Sequence, residues 1–321
     1  MTEPNTTRER FAHIKSRLAV PVIAAPMFLV SGPELVVATC RAGVIGSFPT
    51  LNARPIAELE RWCREIPTAL ESFAAAGSRV VPWAANLIVH RSNARAAEDL
   101  DVVLGARPEI VITALGTPRE VVDAVHAYGG IVLADVSTVR YAEKAADAGA
   151  DGLVLVCAGA GGHTGTLSPF AFVPAVRRFF AGPVVVAGAI ATGAAIHAVE
   201  ALGADLAYVG TPFIAAAESR ASEGHKLMLA SSTEADLVVS AHFTGVPATY
   251  LRPSIANADL DPDALGTRAD KRFDHRDDGA TTRAWRDIWS AGQGVRSVEG
   301  VEPAAAIVAR LAHEYREARA R

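Results

Sequence analysis

Cysteine is scarce in this chain: three residues in 321, Cys40, Cys63 and Cys157, with no paired spacing. That excludes a disulfide framework and a CxxC redox pair, and it points to buried free thiols in a reduced, cytoplasmic protein. No apolar run reaches the length of a membrane-spanning helix, and no charged-apolar-small leader opens the chain, so a membrane is not an expected partner. A basic stripe is missing too, and the net charge is −4, which argues against nucleic acid. There is no Walker loop and no Ser-His-Asp motif. The nine histidines show no metal-ligand spacing, so no metal is expected. Most of them, His225 and His275 included, read as surface residues; His90 and His242 are the two expected near a site. Long low-complexity segments are absent, and nothing in the pattern specifies an oligomer.

What the chain does have is apolar material for a full core, half of all residues. It is arranged in eight short runs: 19–25, 43–48, 80–87, 109–115, 130–136, 152–156, 183–187 and 206–209. They are rich in Val and Ile and do not alternate with polar residues, the pattern of strands buried on both faces. Amphipathic stretches lie between them, such as 33–42, 118–127, 138–148, 169–180 and 193–202, and several end in glycine, the usual helix stop. A Gly-Ala-Asp turn precedes strands at both Gly149 and Gly203. Eight β/α units predict a (β/α)8 TIM barrel, with an open doubly wound sheet as the alternative. Residues 1–216 form the barrel in this reading, and the polar segment 1–17 is a frayed tail. A helical and loop insertion after strand eight, residues 217–280 with segments at 227–229 and 235–239, covers the barrel mouth. Residues 281–321 return to complete the outer ring.

The most informative stretch follows strand six: Cys157-Ala-Gly-Ala-Gly-Gly-His-Thr-Gly165. Small residues surround one imidazole, that of His163. Such a loop lets backbone approach a flat ligand while presenting a single titratable group; it also reads as a plain glycine-rich turn. In barrels of this kind, phosphate binds at the loops after strands seven and eight. Those loops here are 187–193, with Ala187, Gly188 and Ala189, and 209–212, with Gly210 and Thr211. Both offer backbone N–H groups at a helix start, with Thr192 and Thr211 as added hydroxyls, and both also read as ordinary strand-to-helix turns. Ala25, Pro26, Met27 and Phe28 end the first strand as a floor for a ring or as a stiff turn. Asn86 closes the third strand, facing a ring or capping a loop. Asp135 and Ser137 end the fifth; Ser137 reads as the cap of the next helix. Together these groups suit a phosphorylated flat cofactor better than a metal.

These residues carry a resemblance. Ala25-Pro26-Met27, the segment 159–165, Gly188-Ala189-Ile190, Gly210-Thr211 and Trp289-Ser290-Ala291-Gly292 resemble the nitronate monooxygenase family, formerly 2-nitropropane dioxygenase, from about Pro21 to Gly294. The resemblance implies an FMN-dependent oxidoreductase that oxidises a small nitronate or nitroalkane with O2 to a carbonyl product and nitrite. Relatives on the same scaffold keep open an NAD(P)H-dependent reductase acting on a quinone or enoyl group. A barrel that binds flavin or phosphate without catalysis is the third possibility. By the same resemblance Ala25, Pro26, Met27 and Phe28 lie against the flavin, residues 86–88 run along the ring, and Asp135 and Gly161 contact it. Ala187, Gly188, Ala189, Gly210 and Thr211 hold the phosphate. His163 takes the catalytic position, and Ser290 approaches the substrate. Nitroalkane-oxidising members commonly carry Lys near the end of strand five, where this chain has Asp135.

Overall fold

A computed structural model describes residues 6–77, 79–266 and 284–321. Eight parallel strands form one sheet: β1 (Val22–Ala24), β2 (Gly46–Pro49), β3 (Trp83–Ile88), β4 (Ile110–Ala114), β5 (Ile131–Val136), β6 (Gly152–Val156), β7 (Val184–Ala187) and β8 (Leu206–Val209). Around the sheet they run β1-β8-β7-β6-β5-β4-β3-β2. The two ends then meet: Ile45 donates its N–H to Val22 at 3.1 Å, and Ala24 donates to Ile45 at 2.8 Å. The sheet is therefore a closed (β/α)8 barrel and not an open doubly wound sheet.

Each of the eight apolar runs holds one strand, because residues buried on both faces leave no other period. Inward positions follow the two-residue alternation. Ile23, Ile45, Ala84, Ile110, Ile112, Ile131, Leu133, Val154, Val185 and Leu206 fill the lower interior as a single cluster. The positions one step higher, among them Ala25, Asn86, Asp135, Ala187 and Tyr208, open into the mouth.

The expected frayed tail is instead a helix, Thr7–Ser16. Thr6 and Glu9 form a reciprocal capping box at its start, and Phe11 and Ile14 are buried against the barrel interior. The helix plugs the bottom of the barrel, which leaves the upper end as the accessible one.

The repeated Gly-Ala-Asp turn has a physical role. Asp151 accepts the N–H of Val132 at 2.8 Å, and Asp205 accepts that of Val184 at 2.9 Å. Each carboxylate satisfies an amide at the start of a neighbouring strand, while Gly149 and Gly203 take the positive φ that ends the preceding helix. In the outer ring, helices Pro33–Ala42, Arg119–His126, Val139–Asp147, Pro169–Arg177 and Gly193–Ala201 match the amphipathic stretches. Two more, Ile56–Ala75 and Ala96–Ala106, fill the connections after β2 and β3. The helix Ala304–Ala320 packs on Gly193–Ala201 and Pro33–Ala42. Gly193 lies so close to it that a Cβ there would stand 2.1 Å from the Tyr315 amide nitrogen.

The segment after β8 differs from its expected helical and loop character. Residues 227–229 do fall in a helix, Glu223–Ser231, but 237–240 form a strand. Leu237–Ser240 and Ala248–Leu251 make an antiparallel ribbon whose third member is Gly162–His163 from the loop after β6. Residues 267–283, including His275, lie outside the described residues. Among the described residues no helix is long and apolar enough to cross a membrane, and all three cysteines are buried and free.

Candidate active site

One cavity of about 710 Å³ occupies the barrel mouth. Ala25, Pro26, Met27, Phe28, Asn86, Asp135, Gly161, His163, Ala187, Gly188, Ala189, Gly210, Thr211 and Ser290 all line it. Loops far apart in sequence thus converge on one space, with the imidazole after β6 facing the same void as the turns after β7 and β8.

The floor at 25–28 is held from below. Asn52 donates its amide to the carbonyls of Met27 (2.9 Å) and Ser31 (2.8 Å) and accepts the N–H of Leu29 at 2.8 Å. Three hydrogen bonds from one side chain fix a turn in which Leu29 sits at φ +61°. Sequence reading missed Asn52 because its partners lie more than twenty residues away.

Not every group expected of an anion cradle faces the cavity. Thr192 does not line the cavity; it caps the helix Gly193–Ala201 by accepting from Ala195 N–H. Glu314 accepts the Gly193 N–H at 2.7 Å, so that helix start already has its carboxylate. What faces the cavity is the turn Ala187-Gly188-Ala189-Ile190, with Gly188 at φ +123° and Ala189 at φ +56°, together with Gly210 and Thr211. Gly210 lines the cavity, and a Cβ on it would meet only ordinary contacts, Met27 Sδ at 3.6 Å and Ala25 Cβ at 3.7 Å. The hydroxyl of Thr211 accepts the N–H of Gly292 at 2.9 Å and retains its own proton to donate.

Gly161 is glycine for a reason other than the one expected. A Cβ there would stand 2.7 Å from Gly292 N and 2.8 Å from the Ala291 carbonyl carbon. Its bareness admits the returning C-terminal loop, which in turn carries Ser290 into the cavity. His163 is no mobile residue on a glycine loop: it pairs with Ala248 in the outer ribbon, Thr249 donates its hydroxyl to the Ala160 carbonyl at 2.7 Å, and Trp285 meets the imidazole edge-on at 5.5 Å and 82°. Burial pulls the His163 pKa down to about 4, so the ring is neutral at physiological pH.

Asp135 is the opposite case. Burial raises its carboxyl to about 7. Its Oδ1 is buried with no hydrogen-bond partner among the described residues, as is the phenol oxygen of Tyr208. Tyr208, another residue the sequence reading passed over, points inward from β8 within the run Leu-Ala-Tyr-Val; a polar tip in an apolar strand was the available signal. Asn86 lies within β3, not at its end, and donates weakly to the Ile112 carbonyl at 3.4 Å. Of 86–88 only Asn86 and Ile88 line the cavity, because Leu87 points outward into the helix layer. Ser137 lines the cavity, and the cap of the following helix is Thr138, which accepts from Tyr141 N–H.

The histidines sort differently from expectation as well. His225 is buried, stacks on Trp289 at 5.2 Å, approaches the Ser290 carbonyl at 3.1 Å and lines the cavity. Burial lowers its pKa to about 4. His90 lines the cavity beside Ser92, whereas His242 packs on Phe243 outside it. No group of three or more His, Cys, Asp or Glu able to hold a metal ion occurs among the described residues.

Comparison with known proteins places this geometry. The family profile described as Nitronate monooxygenase matches residues 10–314. A nitronate monooxygenase of Paraburkholderia phytofirmans is 30% identical over 278 residues, covering 75% of this chain and 76% of that protein. A (3aS,4S,5R,7aS)-5-hydroxy-7a-methyl-1-oxo-octahydro-1H-indene-4-carboxyl-CoA dehydrogenase of Rhodococcus jostii is 26% identical and covers 74% of this chain, but the match spans only 64% of that longer protein. Among solved structures, a nitroalkane oxidase from Streptomyces ansochromogenes superposes with a TM-score of 0.74 at 25% identity, over 96% of this chain and 99% of that one. FabK from Thermotoga maritima shares the fold at a TM-score of 0.77, 22% identity and 96% coverage of both chains.

Proposed function

The chain belongs to the nitronate monooxygenase family, and from that premise we propose that it is an FMN-dependent enzyme that oxidises a small nitronate with O2, giving a carbonyl compound and nitrite. The observation that carries the reading is the convergence of His163, the bare Gly210 wall and the two partnerless polar atoms of Asp135 and Tyr208 on one cavity. The donor set fits a phosphorylated planar cofactor. The backbone of Gly188, Ala189, Gly210 and Thr211 would hold the phosphate. The floor from Ala25 to Phe28 would support one face of the ring, and Asn86, Asp135 and Tyr208 would meet its polar rim. FMN, when bound, would supply the two-electron acceptor and the reactivity toward O2.

The protein's own part in the chemistry is orientation and dryness. A neutral His163 with a pKa near 4 is a weak base. It suits a substrate that arrives already deprotonated, a nitronate, to whose nitro oxygen the imidazole donates a hydrogen bond. A neutral nitroalkane would demand a stronger base than this burial allows. Trp285, Val246, His225 and Ser290 line the cavity and would help to keep water from the reacting face.

Anaerobic mixing tests the reading. Addition of a nitronate should bleach the flavin absorbance of purified protein within the turnover time, and NADH should not. Rapid bleaching by NADH with none by nitronates would replace this function by a reductase on the same scaffold. A colourless protein that takes up no flavin would remove both.

A further inference from the structure

We propose that the Asp135 carboxyl and the Tyr208 phenol form a recognition pair for a cyclic amide or imide edge, with Asp135 acting as a neutral acid that donates a hydrogen bond. The inference rests on the flavin reading above and gives that site's polar floor a chemical specificity. It starts from where the two residues stand. Asp135 stands two residues beyond Leu133 on β5 and Tyr208 two residues beyond Leu206 on β8, so each is the inward position that follows an apolar residue of the barrel filling. Both line the cavity, and Tyr208 is only 8% exposed.

Buried polar atoms are nearly always partnered, yet Asp135 Oδ1 and the Tyr208 hydroxyl have no partner among the described residues. A ligand that brings its own acceptors would supply what the protein omits. The charge state decides which ligand. Among the described residues, the only Lys or Arg lining the cavity is Lys144, on the exposed side of the helix Val139–Asp147. Among the described residues, burial is what raises the Asp135 carboxyl, and that carboxyl in turn helps to raise the Tyr208 phenol. Ionising the acid here would place a bare negative charge in a desolvated floor, and burial accordingly holds the proton on. A protonated carboxyl presents O–H and C=O side by side. That is the complement of a cyclic amide, which presents C=O and N–H side by side. The phenol adds one donor for a second carbonyl. An edge carrying two carbonyls flanking an N–H, as in the pyrimidine ring of a flavin, satisfies all three groups; an edge of donors alone leaves Tyr208 and the acid proton without acceptors.

Flavin affinity is the readout, measured by quenching of flavin fluorescence on titration of apoprotein, with riboflavin and FMN as separate probes. Wild type, Asp135→Asn, Asp135→Leu and Tyr208→Phe are compared at about pH 6 and about pH 9, either side of the range where the acid ionises. Asn keeps a side-by-side donor and acceptor at any pH, so Asp135→Asn should bind riboflavin within about threefold of wild type at the lower pH, whereas Asp135→Leu and Tyr208→Phe should each lose about tenfold, the size of one buried hydrogen bond. Wild type should weaken about tenfold at the higher pH and Asp135→Asn should not. Thermal unfolding of each variant confirms that it is folded. Equal binding by the Asn and Leu variants, or the same pH response in wild type and Asp135→Asn, overturns the proposal while leaving the flavin reading intact. Failure of wild type to bind either flavin overturns both.

Discussion

The hydroxyl of Thr211, at the end of β8, accepts the amide N–H of Gly292 at 2.9 Å. One residue further on, Gln293 donates its N–H to the Gly159 carbonyl at 2.9 Å. The C-terminal loop is thus tied both to the proposed phosphate turn and to the glycine segment that carries His163. Three regions of the sequence share one set of backbone contacts, and a disturbance of any of them reaches the others.

Gly161→Ala tests that coupling. The added methyl would face the Ala291–Gly292 peptide bond at under 3 Å, with no flexible side chain to give way. Overpacking of this kind costs about 1–3 kcal/mol, and relief requires the 290–293 segment to move out of the cavity. The variant should unfold at lower temperature and bind flavin more weakly, both measurable on one preparation by thermal denaturation and by flavin content. A variant with normal flavin content and unchanged melting would show that the loop is free to shift and carries no part of the site.

His163→Asn separates chemistry from binding. The imidazole is held by ribbon pairing through its backbone and by Trp285 through its ring, and neither element forms the proposed phosphate turn. Flavin content should be kept while kcat with a nitronate falls on the order of 10²-fold. Turnover equal to wild type would take the imidazole out of the reaction.

The barrel was legible because its strands are buried on both faces, which writes an uninterrupted Val and Ile run that local pattern detects. The turns after β6, β7 and β8 were legible because close backbone approach needs glycine. What escaped is long-range or conditional. Gly162–His163 is a strand only because Ala248 and Thr249 come back to pair with it. Thr192 looked like an anion donor until Glu314, more than a hundred residues away, was seen to occupy that helix start. Tyr208 sits in an apolar run, where its polar tip is a local cue but does not say what the phenol faces. The helix Thr7–Ser16, by contrast, was announced by Thr6-x-x-Glu9 and overlooked because the segment is otherwise polar.

Glu314 supports a prediction of stability without function. Its Oε2 accepts the Gly193 N–H at 2.7 Å, a charge-assisted cap at the positive end of a helix. Glu314→Ala should cost about 1 kcal/mol in urea denaturation. Flavin affinity should not change, because that helix start faces the C-terminal helix and not the cavity. A loss of flavin with intact stability would mean that the carboxylate acts on the cofactor site after all.

Opposite pKa displacements on two sides of one cavity give the apoprotein opposing pH dependences. Asp135 is raised from 3.8 to about 7, so the folded state holds a proton there that the unfolded chain has released. Its contribution to stability is full below about pH 4 and is lost as pH rises through about 7. His163 is lowered from 6.5 to about 4, so the unfolded chain takes up a proton that the folded state refuses. Its contribution is full above about pH 6.5 and is lost as pH falls through about 4. Asp135→Asn should therefore gain stability relative to wild type as pH rises from about 4 to 7, by up to about 1.4 kcal/mol per pH unit, and the gain should level off above about 8. His163→Asn should show the reverse, its relative stability increasing as pH falls below 6.5. Each comparison is with wild type, so the other displaced carboxyls, Asp99 among them, cancel. Urea titrations of flavin-free protein across this range read both slopes directly. Parallel curves for wild type and Asp135→Asn would mean that the carboxyl is solvated in the absence of ligand, and the neutral acid at the cavity floor would have to be abandoned with it.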